Sequence, residues 1–221
     1  MNIKNITYYF KASYRRKALD KYQKKYKNEY KGTVLDIGGR NRGKFLKPKY
    51  NVEKWIFADI EKKYNPDIVL DVANMYMIKS ESIDVVNAIE VFEHVEKINE
   101  GISECYRVLK KKGKLFLSVP FLFPVHADPS DYQRWTKTKW ESVLRQNGFY
   151  IEIIDIMGRF FTVKNGMNQA LIQSLPFFIK YFCYLFYPVF DLINLLDKTQ
   201  YIQKHPKLGN YHGGYFIIAK K

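Results

Sequence analysis

The sequence predicts an α/β fold built on a mostly parallel sheet, and two observations predict it. Between residues 33 and 160, short apolar runs alternate with segments of helical periodicity, which is the pattern of βαβ units. Several of these runs end on an acid or on glycine, which lines polar groups along the carboxyl edge where such sheets bind ligands.

The elements follow in order. Residues 1–31 carry ten basic residues against Asp20 and Glu29, with tyrosines between them. Tyr22, Tyr26 and Tyr30 recur every four residues, so a helix there presents rings on one face and charge on the others, with Gly32 ending it. Two readings stand for this segment: a basic helix whose tyrosines pack on the domain, or a contact surface for anionic lipid or phosphate. Strands are expected at Thr33–Gly39, Trp55–Ile60, Ile68–Asp71, Ile83–Ile89, Lys114–Pro120 and Tyr150–Ile156. Phe92, Val95, Ile98, Ile102, Cys105 or Tyr106, and Leu109 recur at helical steps up to Gly113. A further helix is expected from Thr138, where Thr138 and Glu141 fit a capping box, to a stop at Gly148.

Residues 161–212 break the alternation. Leu171–Phe190 is apolar and aromatic, but Pro176, Lys180, Pro188 and Asp191 interrupt it, so two short kinked helices are expected rather than one membrane span. They are read as a lid, a partner surface or a membrane-interface element. Gly214–Lys220 reads as a closing strand. The division expected is a basic segment at 1–31, a main domain at 32–160 and 213–221, and a helical insertion at 161–212.

With 37 basic and 22 acidic residues among 221, the net charge is +15, which favours anionic partners. Aromatics make up 17% of the chain, too many for disorder. The two cysteines form no disulfide framework and no metal-ligand spacing, so a reducing cytoplasmic setting and no metal are expected. Lysines and arginines interrupt any apolar stretch near the start that could serve as a secretion signal.

The chemistry is carried by strand ends. In Val34-Leu-Asp-Ile-Gly-Gly-Arg40 an apolar strand presents Asp36 and turns on Gly38 and Gly39, which lets backbone approach a ligand closely. The spacing Gly38-x-Arg40-x-x-Gly43 lacks a glycine of the dinucleotide fingerprint, and Asp36 would repel a pyrophosphate. It suits a ligand with a positive group, a sulfonium or ammonium; the alternative is an acid that caps the next helix. Asp59 lies 23 residues on, at the next strand end, where an acid can hold a ribose diol, and Ile60 follows it as a face for a purine. Asp71 can accept from an adenine amino group while the Val72 backbone donates to the ring. Ala88-Ile-Glu-Val-Phe-Glu-His94 leads from the fourth strand into a helix.

These residues, with Ile89-Glu-Val-Phe-Glu-His-Val95 and Arg107-Val-Leu-Lys-Lys-Lys-Gly113, resemble the class I methyltransferases that use S-adenosyl-L-methionine, in the branch called the type 11 methyltransferase domain. The resemblance covers about residues 32–160 and the final strand. It implies a Rossmann-like sheet of seven strands, mostly parallel, with helices on both faces, the last strand antiparallel, and a helical insertion before it. It implies that Asp36 and Gly38, beside Gly39, meet the methionine end of the cofactor, with backbone from Ala88 and Ile89. Asp59 would hold the ribose, and Asp71 and Val72 the adenine. Arg40 departs from the family, which has glycine there.

The loop after the fifth strand, Pro120–Trp135, mixes rings, prolines and titratable groups at the same edge, where loops carry function. His126 is a candidate general base because histidine titrates near neutrality; a substrate or structural contact is its other reading. Asp131 is either part of that machinery or an ion pair with Arg134. His94 is either catalytic or a packing and capping residue. The adenine-methylating Asn/Asp-Pro-Pro-aromatic turn is replaced by Ala88-Ile-Glu-Val, and Cys105 falls on an apolar helix face rather than in a nucleophile loop, so nucleic acid is the lesser expectation. The expected acceptor is a small molecule with a hydroxyl, such as a sugar or lipid-linked saccharide. An RNA methyltransferase, or a non-catalytic membrane-associated protein that keeps the fold, is the alternative. The oligomeric state is not legible.

Overall fold

Alternation of side chains along each strand divides the molecule into two layers around one sheet. In the computed structural model, which describes residues 3–40 and 43–221, the strands are β1 (Gly32–Ile37), β2 (Val52–Asp59), β3 (Ile68–Val69), β4 (Ile83–Ile89), β5 (Leu109–Pro120), β6 (Tyr150–Ile156) and β7 (Gly214–Lys220). Their order is β3-β2-β1-β4-β5-β7-β6; all pairs are parallel except those of β7, which runs antiparallel between β5 and β6. This is the Rossmann-like sheet of seven strands that the resemblance implies. The chain winds outward from β1 to β3 and then returns to β4 beside β1, so a crevice opens between the carboxyl ends of β1 and β4.

One face buries Leu35, Val86, Leu115, Leu117 and Ile217 under α3 (Ile98–Val108) and α4 (Lys137–Gln146), with Ile102, Cys105, Trp140 and Leu144 inside. The other buries Val34, Val85, Phe116, Phe216 and Ile218 under the N-terminal segment. Neighbouring residues on one strand serve opposite cores, as a period of two requires.

The basic segment is two helices, α1 (Ile3–Lys11) and α2 (Tyr14–Lys25), because Ser13 caps α2 by accepting from Arg16 N at 3.1 Å. Tyr22 and Tyr26 stack on Phe216 at 5.2 and 5.8 Å between centroids. Tyr30 lies past the helix, after a 3-10 turn, and is fully buried against Phe116; its hydroxyl donates to Asn87 Oδ1 at 2.8 Å. The tyrosines therefore pack on the domain. Gly32 does not end the helix: it opens β1 at φ +56°, where a Cβ would meet the Asp84 carboxylate at 2.4 Å.

Three other expectations need correction. The helix expected from Phe92 begins at Ile98; Glu90 turns the chain at φ +58° and Phe92–His94 is a 3-10 turn. Its apolar spacing reflects burial of Phe92, not helix. The helix ends at Val108, and Leu109–Gly113 opens β5 instead. Thr136, not Thr138, precedes α4, and no side-chain cap bond forms there.

Residues 161–212 are mostly helical: α5 (Phe160–Ser174), α6 (Phe177–Cys183), α7 (Tyr187–Asn194) and α8 (Gln200–Lys204). Asp197 satisfies the free amides at the start of α5, accepting from Arg159, Phe161 and Thr162 at 3.0, 3.0 and 2.9 Å. Buried Gln169 of α5 donates to the Phe10 and Ala12 carbonyls at the α1–α2 break. Pro176 and Pro188 stand at helix starts, where the missing amide costs nothing, so Phe177–Lys198 forms one helical run. With a mean hydropathy of 1.3, it is long and apolar enough to cross a membrane by length and composition.

Candidate active site

The carboxyl ends of β1, β2 and β4 set three polar groups side by side. Register aligns Asp36 with Asn87 across the β1–β4 pair, and Ile37 with both Ala58 and Ala88. Asp36 is 1% exposed; Asn87 Nδ2 donates to its Oδ1 at 2.7 Å, and Lys47 Nζ lies 2.6 Å from its Oδ2. Burial pushes the Asp36 carboxyl up from its ordinary range, against the opposing pull of Lys47. Gly38 turns the chain at φ +62°, and a Cβ on Gly39 would stand 2.1 Å from the Asp36 carboxyl carbon. The two glycines are thus demanded by backbone shape and by the acid packed beneath them. Residues 41 and 42, within the expected turn to Gly43, lie outside the described residues.

Asp59 ends β2, one strand spacing (about 5 Å) from β1, and is 6% exposed. Its Oδ1 accepts from Glu61 N at 2.9 Å, and its Oδ2 lies 3.6 Å from Arg40 Nε. Arg40 also pairs with Asp128 at 2.6 Å and lies over the Tyr64 ring at 4.0 Å. Ile60, just beyond, is exposed. Ala88 is fully buried and Ile89 half-buried at the end of β4. Asp71 and Val72 follow the two-residue β3 at the far side of β2; Asp71 Oδ1 accepts from Ala73 N at 2.8 Å, and Val72 is buried. The structure therefore gathers Asp36, Gly38, Gly39, Ala88 and Ile89 at the switch point, with Asp59 and Ile60 next to them and Asp71 and Val72 beyond.

The crevice holds only about 50 Å³ of free space, because Lys47 and Arg40 lie in it. Arg16, Gln23 and Phe45 also line it. A larger open depression of about 580 Å³ lies by α3 and Arg107, lined in part by Ala73 and Asn74 just past Asp71 and not by Asp36 or Asp59. The residues fit S-adenosylmethionine by their chemistry: each acid already holds a cation, Lys47 on Asp36 and Arg40 toward Asp59. A ligand with an ammonium, a sulfonium and a ribose diol offers equivalent partners. Entry requires both long, partly exposed side chains to swing outward. Lys47 and Arg40 give no periodic signal in the sequence; only the missing glycine at position 40 points to one of them.

Across the crevice edge, the loop after β5 lies against the 3-10 turn 92–94. Tyr132 N donates to Glu93 O at 2.9 Å. Asp131 accepts from His126 N at 2.9 Å and pairs twice with Arg134, which holds its carboxyl down at about 2. Asp131 thus braces the loop that carries His126. The His126 ring is partly exposed and meets His94 edge-on, with centroids 5.1 Å apart. His94 Nδ1 lies 2.5 Å from Ser130 O, and burial lowers its pKa. Glu93 is 1% exposed, and burial holds its carboxyl well above the ordinary value. Glu90, next to this turn, pairs with buried Arg15 of α2 and accepts from Ser118 Oγ at 2.6 Å. Glu90 and Glu93 stand in a motif read for its family likeness, and their burial was not legible there.

Residues 51–117 match the family model described as a methyltransferase domain. The fold is similar to that of a SAM dependent methyltransferase from Archaeoglobus fulgidus, at 16% identity and a TM-score of 0.57 over the whole of both chains. It is also similar to the [4+2]-cyclase SpnF, at 15% and 0.58, covering 96% of this chain and 83% of that one. Phosphoethanolamine N-methyltransferase 2 of Haemonchus contortus, in complex with S-adenosyl-L-methionine, is similar at 18% and 0.57, over 92% of this chain and 52% of that one. At these identities the likeness is one of fold. No curated protein matches the chain.

Proposed function

We propose that the chain is a class I methyltransferase that uses S-adenosylmethionine, and that it methylates a hydroxyl on a small molecule, a sugar or lipid-linked saccharide, at an anionic membrane surface. The observation that carries the placement of the chemistry is the row of acids at the ends of β1 and β2, opposite a loop bearing His126. The cofactor supplies a methyl group on a positively charged sulfur. Asp36, with Gly38, Gly39 and the backbone of Ala88 and Ile89, would hold the methionine end; Asp59 would hold the ribose hydroxyls beside Ile60; Asp71 and Val72 would hold the adenine. His126 would take the proton that the acceptor hydroxyl gives up on methylation. Asp131 holds the loop in place for that transfer, and His94 packs against the His126 ring. Positioning and exclusion of water supply most of the rate.

The surface reading rests on the join between two segments. The α6–α7 run exposes Phe178 (86%), Leu185 (71%) and Leu192 (67%). It packs on α1 through Phe10, stacked on Tyr184 at 4.4 Å, and through Tyr9, whose hydroxyl donates to Asp191 at 2.6 Å. Exposed Lys11 ends α1 beside the apolar run, and exposed Lys21, Lys24 and Lys25 follow on α2, the next helix along the chain. Apolar side chains flanked by lysines match the chemistry of an acidic lipid surface. The setting inferred is cytoplasmic and peripheral.

Two measurements test this. Incubated with methyl-labelled S-adenosylmethionine and a lipid-linked saccharide extract, the protein is expected to label the extract, and Asp36→Ala to lose that label by about 100-fold or more; label entering RNA instead would refute the acceptor class. In vesicle co-sedimentation, binding to anionic but not neutral phospholipid is expected, falling as salt rises and in Lys21→Gln/Lys24→Gln/Lys25→Gln. Equal binding to both vesicle types would sink the electrostatic part. Substitution is preferable to deletion of 1–31, because α2 forms part of the core.

A further inference from the structure

Glu93, His94 and His126 each offer one ligand atom, and these three atoms all lie within 4.8 Å of one another. Glu93 Oε1 and His94 Nε2 stand 3.8 Å apart. Two ligands about 2.1 Å from a tetrahedral ion stand about 3.4 Å apart, so a small contraction seats an ion.

The polar atoms there lack other partners. Among the described residues, neither carboxylate oxygen of Glu93 accepts a hydrogen bond, nor does His94 Nε2 make one, although the Glu93 side chain is fully buried. A buried carboxylate left so is costly, and either a proton or a bound cation relieves it. Positive charge nearby comes from Arg15 and Arg134, but these are committed to Glu90 and Asp131.

The second partners of both rings are already set. His94 Nδ1 lies at 2.5 Å from Ser130 O, which fixes Nδ1 as the donor and leaves Nε2 to bind. His126 Nδ1 lies 3.1 Å from Pro124 O and 3.4 Å from Asp131 Oδ2, which likewise leaves its Nε2. Metal-bound imidazoles are oriented in this way by carbonyls and carboxylates.

We propose that Glu93, His94 and His126 form a binding site for one divalent first-row transition-metal ion. Two imidazoles and a carboxylate suit zinc, iron(II) or cobalt(II) rather than calcium or magnesium, which take oxygen ligands, and three protein ligands leave a position open. The site stands on side-chain geometry and does not depend on methyl transfer. With the ion bound, His126 is a ligand rather than a proton acceptor, so its two roles belong to different states of the protein.

The test uses the tag-free full chain after treatment with chelator. Calorimetric titration with Zn²⁺ is expected to give one ion per chain, and Co²⁺ to give the visible spectrum of a four- or five-coordinate site. Glu93→Gln and His126→Asn are each expected to weaken Zn²⁺ binding by at least about 100-fold, more than loss of an orienting partner does. Zn²⁺ is also expected to raise the melting temperature of the wild type with concentration, but not that of His126→Asn. His126 is partly exposed, so this variant keeps the test valid should Glu93→Gln fail to fold. Absence of a stoichiometric ion, or unchanged affinity in folded His126→Asn, would overturn the site.

Discussion

Glu90→Ala is expected to destabilise the protein by about 3–5 kcal/mol, read as a fall in the urea midpoint. Glu90 and Arg15 have side chains only 5% and 9% exposed, and no surface charge can replace the carboxylate once it is gone. Ser118 loses its acceptor as well. Breaking a buried pair costs more than replacing both members, so Arg15→Met with Glu90→Gln is expected to recover part of the loss. Burial, the largest single influence, would raise the Glu90 carboxyl, but Arg15, Arg16 and the Ser118 hydroxyl together outweigh it and the net direction is down. A depressed native value means the contribution is full above the ordinary glutamate value of 4.5 and is lost as the pH falls through the native value. The wild type is thus expected to lose more stability in acid than Glu90→Ala does. A loss under 1 kcal/mol for Glu90→Ala, or equal acid sensitivity, would show that the pair is solvated.

Asp59→Ala is expected to weaken S-adenosylmethionine binding by about 100-fold in calorimetric titration. Two hydrogen bonds from a diol to a carboxylate are worth about 1.5–3 kcal/mol each before competition, and about 1.4 kcal/mol corresponds to a factor of ten. Arg40 competes for the same acid, which reduces the net loss toward the lower end. Arg40→Ala is therefore expected to act in the opposite direction and tighten binding by about 10-fold. Weaker binding in Arg40→Ala would mean that the guanidinium contacts the cofactor and does not leave the crevice. Unchanged binding in Asp59→Ala would remove the ribose role altogether.

Much of the sheet was legible in the chain because strands are short-range patterns. The expected limits of the fourth, sixth and seventh strands agree with β4, β6 and β7 residue for residue. Strand ends on an acid were legible as well, since a buried apolar run that stops at Asp36 or Asp59 must deliver that acid to the sheet edge. What stayed hidden depends on contacts far apart in sequence. Phe92 and Val95 keep helical spacing, yet Glu90 at φ +58° and its bond to Arg15 hold them in a turn. Leu109–Gly113 reads as a helix end, but Ile83 pairs with Leu109 and draws it into the sheet. His126 comes to His94 only because Ser130, Tyr132 and Gln133 fasten an aperiodic loop to residues 92–95. No local propensity encodes such a meeting.

The place of β7 has a consequence for how the protein is made. Strands β5 and β6 do not pair with each other; the sheet joins them only through Gly214–Lys220 between them. Phe216, on that same strand, is also what Tyr22 and Tyr26 stack upon. During synthesis the first helices therefore emerge nearly two hundred residues before their aromatic partner, and two sheet edges stay open meanwhile. Closure of the molecule waits on its final strand, and a ribosome that stalls short of it leaves a chain with bare edges and an uncovered basic, aromatic arm.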